Sequence, residues 1–196
     1  MNGTDYTLLD PDDSVLVIID VQDGFLERLP GTTAGALLRH IRWLIDTARW
    51  LEIPIIVTAE DLPVDGPTTA SLREALPADV PDLNKVVFGL ADQADILESL
   101  TGTGRRTAVL TGMETDVCIQ HSAFGLAQRG FRVATVVDAT ASPHNGHDVG
   151  LDRMREAGIT LVSTKSLFFE WMRTLARCQA FFDAQGLKVP CDLPWK

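Results

Sequence analysis

The sequence predicts an α/β fold in which helices cover a central, mainly parallel sheet. Short β-branched runs alternate with amphipathic segments along the chain, which is typical of βαβ units. The runs are nearly all apolar, as strands covered on both faces should be. They lie at 15–20, 53–58, 107–111, 133–137 and 159–163.

The segments between these runs predict helices. Apolar residues recur at helical spacing over 37–51 and form one continuous stripe. Further helices are predicted at about 92–100, 116–129 and 147–157, the last one ended by Gly158 in a left-handed cap. A C-terminal helix is expected after the last strand. Its apolar face comprises Leu167, Phe168, Trp171, Met172, Leu175 and Cys178, and we interpret Cys178 as a core residue.

Length and composition fit a single domain over residues 1–196, since 45% of the residues are hydrophobic and can form a substantial core. The segment 60–83 is rich in Pro and Asp and is interpreted as an excursion from the sheet, not a linker. A formal net charge of −10 argues against nucleic acid as a partner, because phosphate binding needs an excess of Lys and Arg.

The expected location is the cytoplasm, with no membrane partner. The first ten residues contain no signal segment, and no apolar run is long enough to span a bilayer. The cysteines Cys118, Cys178 and Cys191 form no CxxC pair, which suits a reducing compartment better than a disulfide framework.

Two candidate catalytic residues follow predicted strands. Asp20 closes the first run, where a partly desolvated carboxylate is suited to accept a proton; the other interpretation is a helix cap or a loop hydrogen bond. Cys118 comes shortly after the run at 107–111, with Thr115 as the expected N-cap of the next helix. There the backbone N–H groups and the helix dipole would lower the pKa of the thiol, although most lone cysteines are inert core residues.

Lys85 is a single cation in the apolar segment 83–89. Beside Asp20 and Cys118 it would keep the carboxylate ionised and favour the negative charge that forms on a substrate. By spacing alone, a lysine that packs its stem and exposes its amine is the simpler interpretation.

Taken together, in this order and with these neighbours, the three residues closely resemble the isochorismatase-like cysteine hydrolase family. The matching pieces are 20–22, the Lys85 segment and 112–120, and the resemblance extends over about 14–171. It implies a Rossmann-like three-layer sandwich with a central, mainly parallel six-stranded sheet.

The resemblance also implies a catalytic triad of Asp20, Lys85 and Cys118, and a non-proline cis peptide bond between Met113 and Glu114. That bond would turn the Glu114 N–H toward the same spot as the Cys118 N–H. The two amides would then form an oxyanion hole.

The implied reaction is acyl transfer through a thioester, with a small amide, carbamoyl or related C–N compound as substrate. True isochorismatases cleave a vinyl ether, and the retained Cys118 favours amide-type chemistry instead. The alternative is a catalytically silent member that binds a metabolite or a protein partner in the same cleft. An NAD site is excluded, because 20–24 replaces the glycine fingerprint expected after the first strand.

Nicotinamidases of this family carry a metal site built from an Asp and several His residues after the second strand. This chain has no histidine between His40 and His121, so Asp61 and Asp65 lack imidazole partners there. We therefore predict no catalytic metal and no cofactor.

Several other residues have weaker interpretations. Phe25 and Phe88 follow Asp20 and Lys85 and are candidate apolar walls of the substrate pocket, although either one could be core. A structural role is favoured for His121, one helical turn after the cysteine. His144 and His147 lie in a loop that could border the pocket or a subunit contact.

The C-terminal aromatics predict an oligomer. A domain of this size is not expected to bury the whole apolar face of the C-terminal helix together with Phe181 and Phe182, and large apolar patches commonly mark a partner surface. With the family's tendency to form symmetric assemblies, this predicts a homo-oligomer that uses the C-terminal helix or the His144 loop. The alternative is that the aromatics only close one edge of the core.

Overall fold

A six-stranded parallel sheet forms the centre of the computed structural model, which describes residues 7–189 and 191–195. The strand order is β3-β2-β1-β4-β5-β6, and every neighbouring pair is parallel. The strands are β1 (Ser14–Ile19), β2 (Ile55–Glu60), β3 (Asp82–Lys85), β4 (Thr107–Met113), β5 (Arg132–Ala141) and β6 (Thr160–Val162). The predicted fold class is therefore confirmed.

Helices connect the strands and cover both faces of the sheet. They are α1 (Asp23–Leu26), α2 (Gly31–Trp50), α3 (Leu62–Asp65), α4 (Ala70–Arg73), α5 (Ala94–Gly102), α6 (Gln120–Gln128), α7 (Gly146–Glu156), α8 (Thr164–Met172) and α9 (Leu175–Ala184). As predicted, Gly158 follows α7 with a positive φ of 81°. No helix among the described residues is long and apolar enough to cross a membrane.

The side chains of β1 alternate between two hydrophobic clusters, one on each face of the sheet. Leu16 and Ile18 pack in the cluster that includes residues of α2 and α8. Val15, Val17 and Ile19 pack in the cluster that includes residues of α5, α6 and α7. All six residues of β1 are buried and most are aliphatic. This is expected for a strand covered on both faces, where a buried polar side chain costs free energy.

The predicted excursion at 60–83 contains α3 and α4 and then enters an edge strand. Its last residues, Asp82 and Leu83, begin β3, which pairs with β2 and ends at Lys85. The sixth strand implied by the family resemblance is thus the one that carries the lysine.

The C-terminal helix was predicted as one element and is two. Arg173 has a positive φ of 63°, and the Thr174 hydroxyl accepts a hydrogen bond from the Arg177 N–H, so α9 starts in a new direction. Leu175 is consequently 87% exposed and does not share the apolar face of α8.

The predicted apolar patch at the C-terminal end is reduced to Leu175 and Phe169, which are 87% and 44% exposed, because most of its residues are buried. Trp43 of α2 forms tilted or edge contacts with Phe168 and Phe181, and Phe182 stacks on Phe168 at 5.8 Å. Cys178 is 5% exposed in the same cluster, which confirms its core interpretation. These aromatics therefore close one edge of the core.

Candidate active site

Four polar side chains come together where the strands β3, β2, β1 and β4 end. Asp20 follows β1 directly, Glu60 ends β2, and Lys85 ends β3. Cys118 lies in the turn that follows β4. Because the strands are parallel neighbours, their carboxyl ends meet at one edge of the sheet, where ligands bind in open α/β folds.

Lys85 is the centre of this group. Its Nζ lies 2.9 Å from Asp20 Oδ2, 3.3 Å from Glu60 Oε2 and 3.6 Å from Cys118 Sγ. The ammonium group also donates a hydrogen bond of 2.7 Å to the Val87 carbonyl oxygen. The three residues that the sequence singled out thus lie in mutual contact, and the interpretation of Lys85 as a lysine with an exposed amine is wrong.

Asp20 is fully buried and is held by Thr58 of β2. The Thr58 hydroxyl donates to Asp20 Oδ1 at 2.8 Å, and the Asp20 N–H donates to the Thr58 carbonyl oxygen at 3.0 Å. Burial raises the pKa of Asp20 above its ordinary value, while the Lys85 charge and the Thr58 hydrogen bond oppose this shift. A carboxylate with a raised pKa is a better proton acceptor than an exposed one.

Lys85 stays protonated although it is buried. Burial would lower its pKa, but the charge of Asp20 and the neighbouring Cys118 and Glu60 outweigh it and raise the pKa above the ordinary value. The site therefore contains a fixed positive charge beside the thiol.

The expected low pKa of Cys118 is wrong. The thiol is only 3% exposed, and burial followed by the negative charge of Asp20 raises its pKa well above the ordinary value, although Lys85 acts in the opposite direction. Loss of solvation and a close carboxylate outweigh the helix N-terminus and the single ammonium group here. Burial therefore favours the neutral thiol of Cys118 over its thiolate.

The turn that carries Cys118 also differs from the expected helix start. Residues Thr115–Ile119 form one π-helical turn that leads into α6, so Thr115 is inside the turn and is not its N-cap. The Thr115 Oγ1 instead lies 2.9 Å from His147 Nδ1. The peptide bond between Met113 and Glu114 is cis. The Glu114 carbonyl oxygen accepts hydrogen bonds from the N–H groups of Val117 and Ile119.

Close packing against α7 holds the turn Thr115–Ile119 in place. A Cβ on Gly150 would lie 2.8 Å from Asp116 Cα, so the helix backbone rests directly on the turn. The Ser142 hydroxyl donates to Asp116 Oδ1 at 2.6 Å. The turn is thus fixed by α7 and by Ser142, which directly follows β5.

Glu60 is a site residue that the sequence analysis missed. The Cys118 thiol donates to Glu60 Oε2 at 3.3 Å, and the same oxygen contacts Lys85. The Gln22 side chain fixes the Glu60 backbone, because its amide donates to the Glu60 carbonyl and accepts from the Glu60 N–H, both at 2.8 Å. Glu60 is the last residue of β2, and Asp20 directly follows β1. An acidic residue at the end of a strand was the feature of the sequence that could have identified Glu60.

A comparison with protein families matches the Isochorismatase domain model to residues 14–166. The chain belongs to the isochorismatase family. A curated relative, Isochorismatase family protein 2B from Dictyostelium discoideum, is 28% identical over 176 residues, which cover 85% of this chain and 80% of that protein. The family resemblance seen in the sequence is thus confirmed.

Solved structures of isochorismatase-like proteins share the fold closely. YcaC from Pseudomonas aeruginosa, solved with hexane-2,5-diol and covalent acrylamide, has a TM-score of 0.86 and 25% identity, and the match covers 95% of this chain and 94% of that one. YcaC from Escherichia coli, described as an octameric hydrolase of unknown specificity, has a TM-score of 0.79 and 25% identity over 90% of each chain.

Only one group of possible metal ligands occurs in the described part of this isochorismatase-family chain. Ligand atoms of Asp20, Glu60 and Cys118 lie within 4.8 Å of one another. The Lys85 ammonium group is already in contact with all three, so it takes the place where a cation would balance their charge. A divalent ion among these ligands would lie against the ammonium group, so the arrangement does not suit a metal centre.

The candidate pocket residues have different surroundings. Phe25 is 8% exposed within the core, with the Arg28 guanidinium 4.7 Å above its ring. Phe88 is 58% exposed, and its ring centre lies 6.0 Å from that of His121. His121 Nδ1 lies 2.7 Å from the Val117 carbonyl oxygen, which agrees with a structural role for this histidine.

A cavity of about 910 Å³ lies beside the site, between the start of α2 and the end of β5. His144 and His147 line it together with Arg28. Arg28 also pairs with Glu114 at 3.5 Å, and His147 contacts Thr115, so the cavity borders the turn that carries Cys118.

Proposed function

We propose that the protein is a cysteine-dependent hydrolase that cleaves a small amide, carbamoyl or related C–N substrate through a thioester on Cys118. The observation that carries the proposal is the position of the Lys85 Nζ, which contacts Asp20 at 2.9 Å and Cys118 at 3.6 Å. This contact joins a nucleophile, a base and a fixed cation at the ligand-binding edge of the sheet.

The raised pKa values give each residue a role in this reaction. Asp20 accepts the proton of the neutral thiol as the Cys118 Sγ attacks the carbonyl carbon. Lys85 stabilises the negative charge that develops on the sulfur and on the substrate. Asp20 then transfers its proton to the leaving nitrogen as the C–N bond breaks.

The second half of the reaction releases the acyl group. A water molecule donates a proton to Asp20 and adds to the thioester carbonyl; the carbon–sulfur bond then breaks, Asp20 returns the proton to the leaving sulfur, and a carboxylic or carbamic acid is released. We assign the oxyanion hole to the N–H groups of Glu114, which precedes the turn, and Cys118, which lies within it. Removing one such donor typically costs about 10²-fold or more in kcat.

Phe88 and Phe25 are the proposed apolar residues of the substrate pocket. We retain Phe88 as an apolar wall, because its exposed ring is close in sequence to Lys85. Phe25 packs in the core under Arg28. It would therefore support the wall of the pocket without touching the substrate.

We further propose that the protein is a homo-oligomer. The octameric Escherichia coli YcaC, with 25% identity, supports this proposal. The His144 loop is the preferred contact of the two named from the sequence, because the aromatic face of the C-terminal segment is buried within the chain.

A screen of small amides, ureas and carbamates for release of ammonia or amine tests the proposed reaction. Cys118→Ala is the matched control, and Cys178→Ala removes a thiol that lies outside the site. We expect Cys118→Ala to reduce turnover by about 10³-fold or more, because the thioester cannot form, and Cys178→Ala to retain it. Equal turnover by both variants would refute the proposal, and a screen without any active compound would favour the silent alternative.

A further inference from the structure

We propose that Glu60 makes the Cys118 site select uncharged substrates over substrates that carry a carboxylate next to the reacting carbon. The inference deepens the proposed function and rests on it. It assigns a specificity-determining role to a residue that neither the family resemblance nor the triad includes.

Glu60 is the partly exposed carboxylate of the group. Its side chain is 25% exposed, whereas those of Asp20 and Lys85 are 1% and 0% exposed. Its Oε2 lies 3.3 Å from the Cys118 Sγ. A molecule that approaches the sulfur from solvent therefore passes beside the Glu60 carboxylate.

One ammonium group cannot balance the two carboxylates it contacts. The formal charges of Asp20, Glu60 and Lys85 are −1, −1 and +1, which sum to −1 with a neutral thiol, and the sum stays −1 when the thiol proton moves to Asp20. The nearest further charges do not reverse this sign. Arg28 is paired with Glu114 at 3.5 Å, and the chain has a formal net charge of −10.

The sign of the local field decides which ligands are favoured. Charges in a cleft of low dielectric act more strongly than at an open surface, so an incoming carboxylate is repelled by the excess negative charge. A neutral amide avoids this repulsion, and its N–H groups can donate to Glu60. We therefore expect neutral amides, ureas or carbamate esters as substrates, and not amides of dicarboxylic or amino acids with a free carboxylate at the reacting end.

The alkylation of Cys118 by iodoacetamide and iodoacetate tests the inference without any substrate. The two reagents differ chiefly in that one carries an amide and the other a carboxylate beside the reactive carbon. Rates at Cys118 are measured by peptide mapping and expressed as the iodoacetamide-to-iodoacetate ratio. Changes in the thiolate fraction affect both reagents equally, so this ratio isolates the charge effect.

Glu60→Gln keeps the shape of the side chain and leaves the Gln22 contacts to the backbone in place. Asp61→Asn is the matched control: it removes the same charge from the next residue, and Asn tolerates the positive φ of 40° found there. We expect the wild-type ratio to exceed that of N-acetylcysteine by about tenfold, and Glu60→Gln to remove most of this excess. Asp61→Asn should change the ratio by less than about twofold.

An unchanged ratio in Glu60→Gln would overturn the inference, as would a wild-type ratio no higher than that of the free thiol. The wild-type comparison keeps the test decisive if the variant does not fold. Resistance of Cys118 to both reagents would also overturn it, because the site would then admit no small substrate. If the ratio falls as expected but no amide is hydrolysed, the charge selection stands and the proposed hydrolysis fails.

Discussion

A Cβ placed on Gly112 of β4 would lie 2.0 Å from the carbonyl oxygen of Ile19 in β1. Gly112 also has a φ of 116°, a conformation that other residues rarely adopt. Asp20 follows Ile19 directly, and Cys118 lies in the turn after β4. The close approach of these two strands therefore sets the spacing between the proposed base and the nucleophile.

The substitution Gly112→Ala should destabilise the protein by about 3 kcal/mol or more, since the new methyl group meets backbone and the φ is strained. Gly102→Ala, in α5 with nothing within 4 Å of the added Cβ, is the control and should change stability by no more than about 1 kcal/mol. Urea unfolding measures both. Equal midpoints for the two variants would contradict the packing argument.

The pH dependence of kcat/KM should have an acid limb above the pKa of an exposed aspartate, about 3.9. Asp20 must be ionised to accept the thiol proton, so activity is lost as the pH falls through its pKa, which burial raises. Thr58→Val removes a hydrogen bond that stabilises the ionised form, and the limb should move to higher pH by up to about one unit.

Thr111→Val is the control for that shift, because its buried hydroxyl donates to the Val17 carbonyl oxygen and does not touch Asp20. Its acid limb should match that of the wild type. A limb that moves to lower pH in Thr58→Val, or moves equally in both variants, would be inconsistent with Asp20 as the base.

The strands and the buried residues at their carboxyl ends could be predicted from the sequence. Apolar strands are recognisable because both faces are covered, and the residues that directly follow them, such as Asp20, can be assigned to the carboxyl edge of the sheet. Glu60 was missed because the second run was predicted to end at residue 58, whereas β2 ends at Glu60 itself. Its neighbours Asp61 and Asp65 also make it look like one acid among several in a polar loop.

Other errors have energetic causes that a sequence pattern does not display. The pKa of Cys118 depends on its burial and on the distance to Asp20, and both follow from packing between distant segments. The break between α8 and α9 depends on Arg173, which adopts a positive φ although nothing in its residue type favours one. Thr174 was the residue from which the start of a second helix could have been predicted, because threonine is a suitable N-cap.

Activity should survive exhaustive dialysis against EDTA and 1,10-phenanthroline. The Lys85 ammonium group already provides the positive charge among Asp20, Glu60 and Cys118, so no divalent ion is needed there. Assays before and after chelation, with zinc, iron and manganese added back, measure this. Activity that is lost with the chelator and restored by one metal would contradict the prediction.

Gel filtration with light scattering should give a mass that is a multiple of 21.4 kDa at micromolar concentration. A monomer would refute the proposed homo-oligomer. If the protein is an oligomer, His144→Glu should weaken it when the His144 loop lies at the contact, whereas Phe169→Glu on α8 tests the remaining exposed aromatic of the C-terminal segment.

The central claim is that Cys118 carries the acyl group, and intact-mass spectrometry after rapid acid quenching tests it most directly. The enzyme is mixed with an active compound from the screen, quenched within single turnovers, and digested for peptide mapping. The account predicts a mass increase equal to the acyl part of the substrate, located on Cys118, that forms and decays at rates consistent with turnover. Turnover that proceeds with no adduct on Cys118, or that continues undiminished in Cys118→Ala, would contradict it.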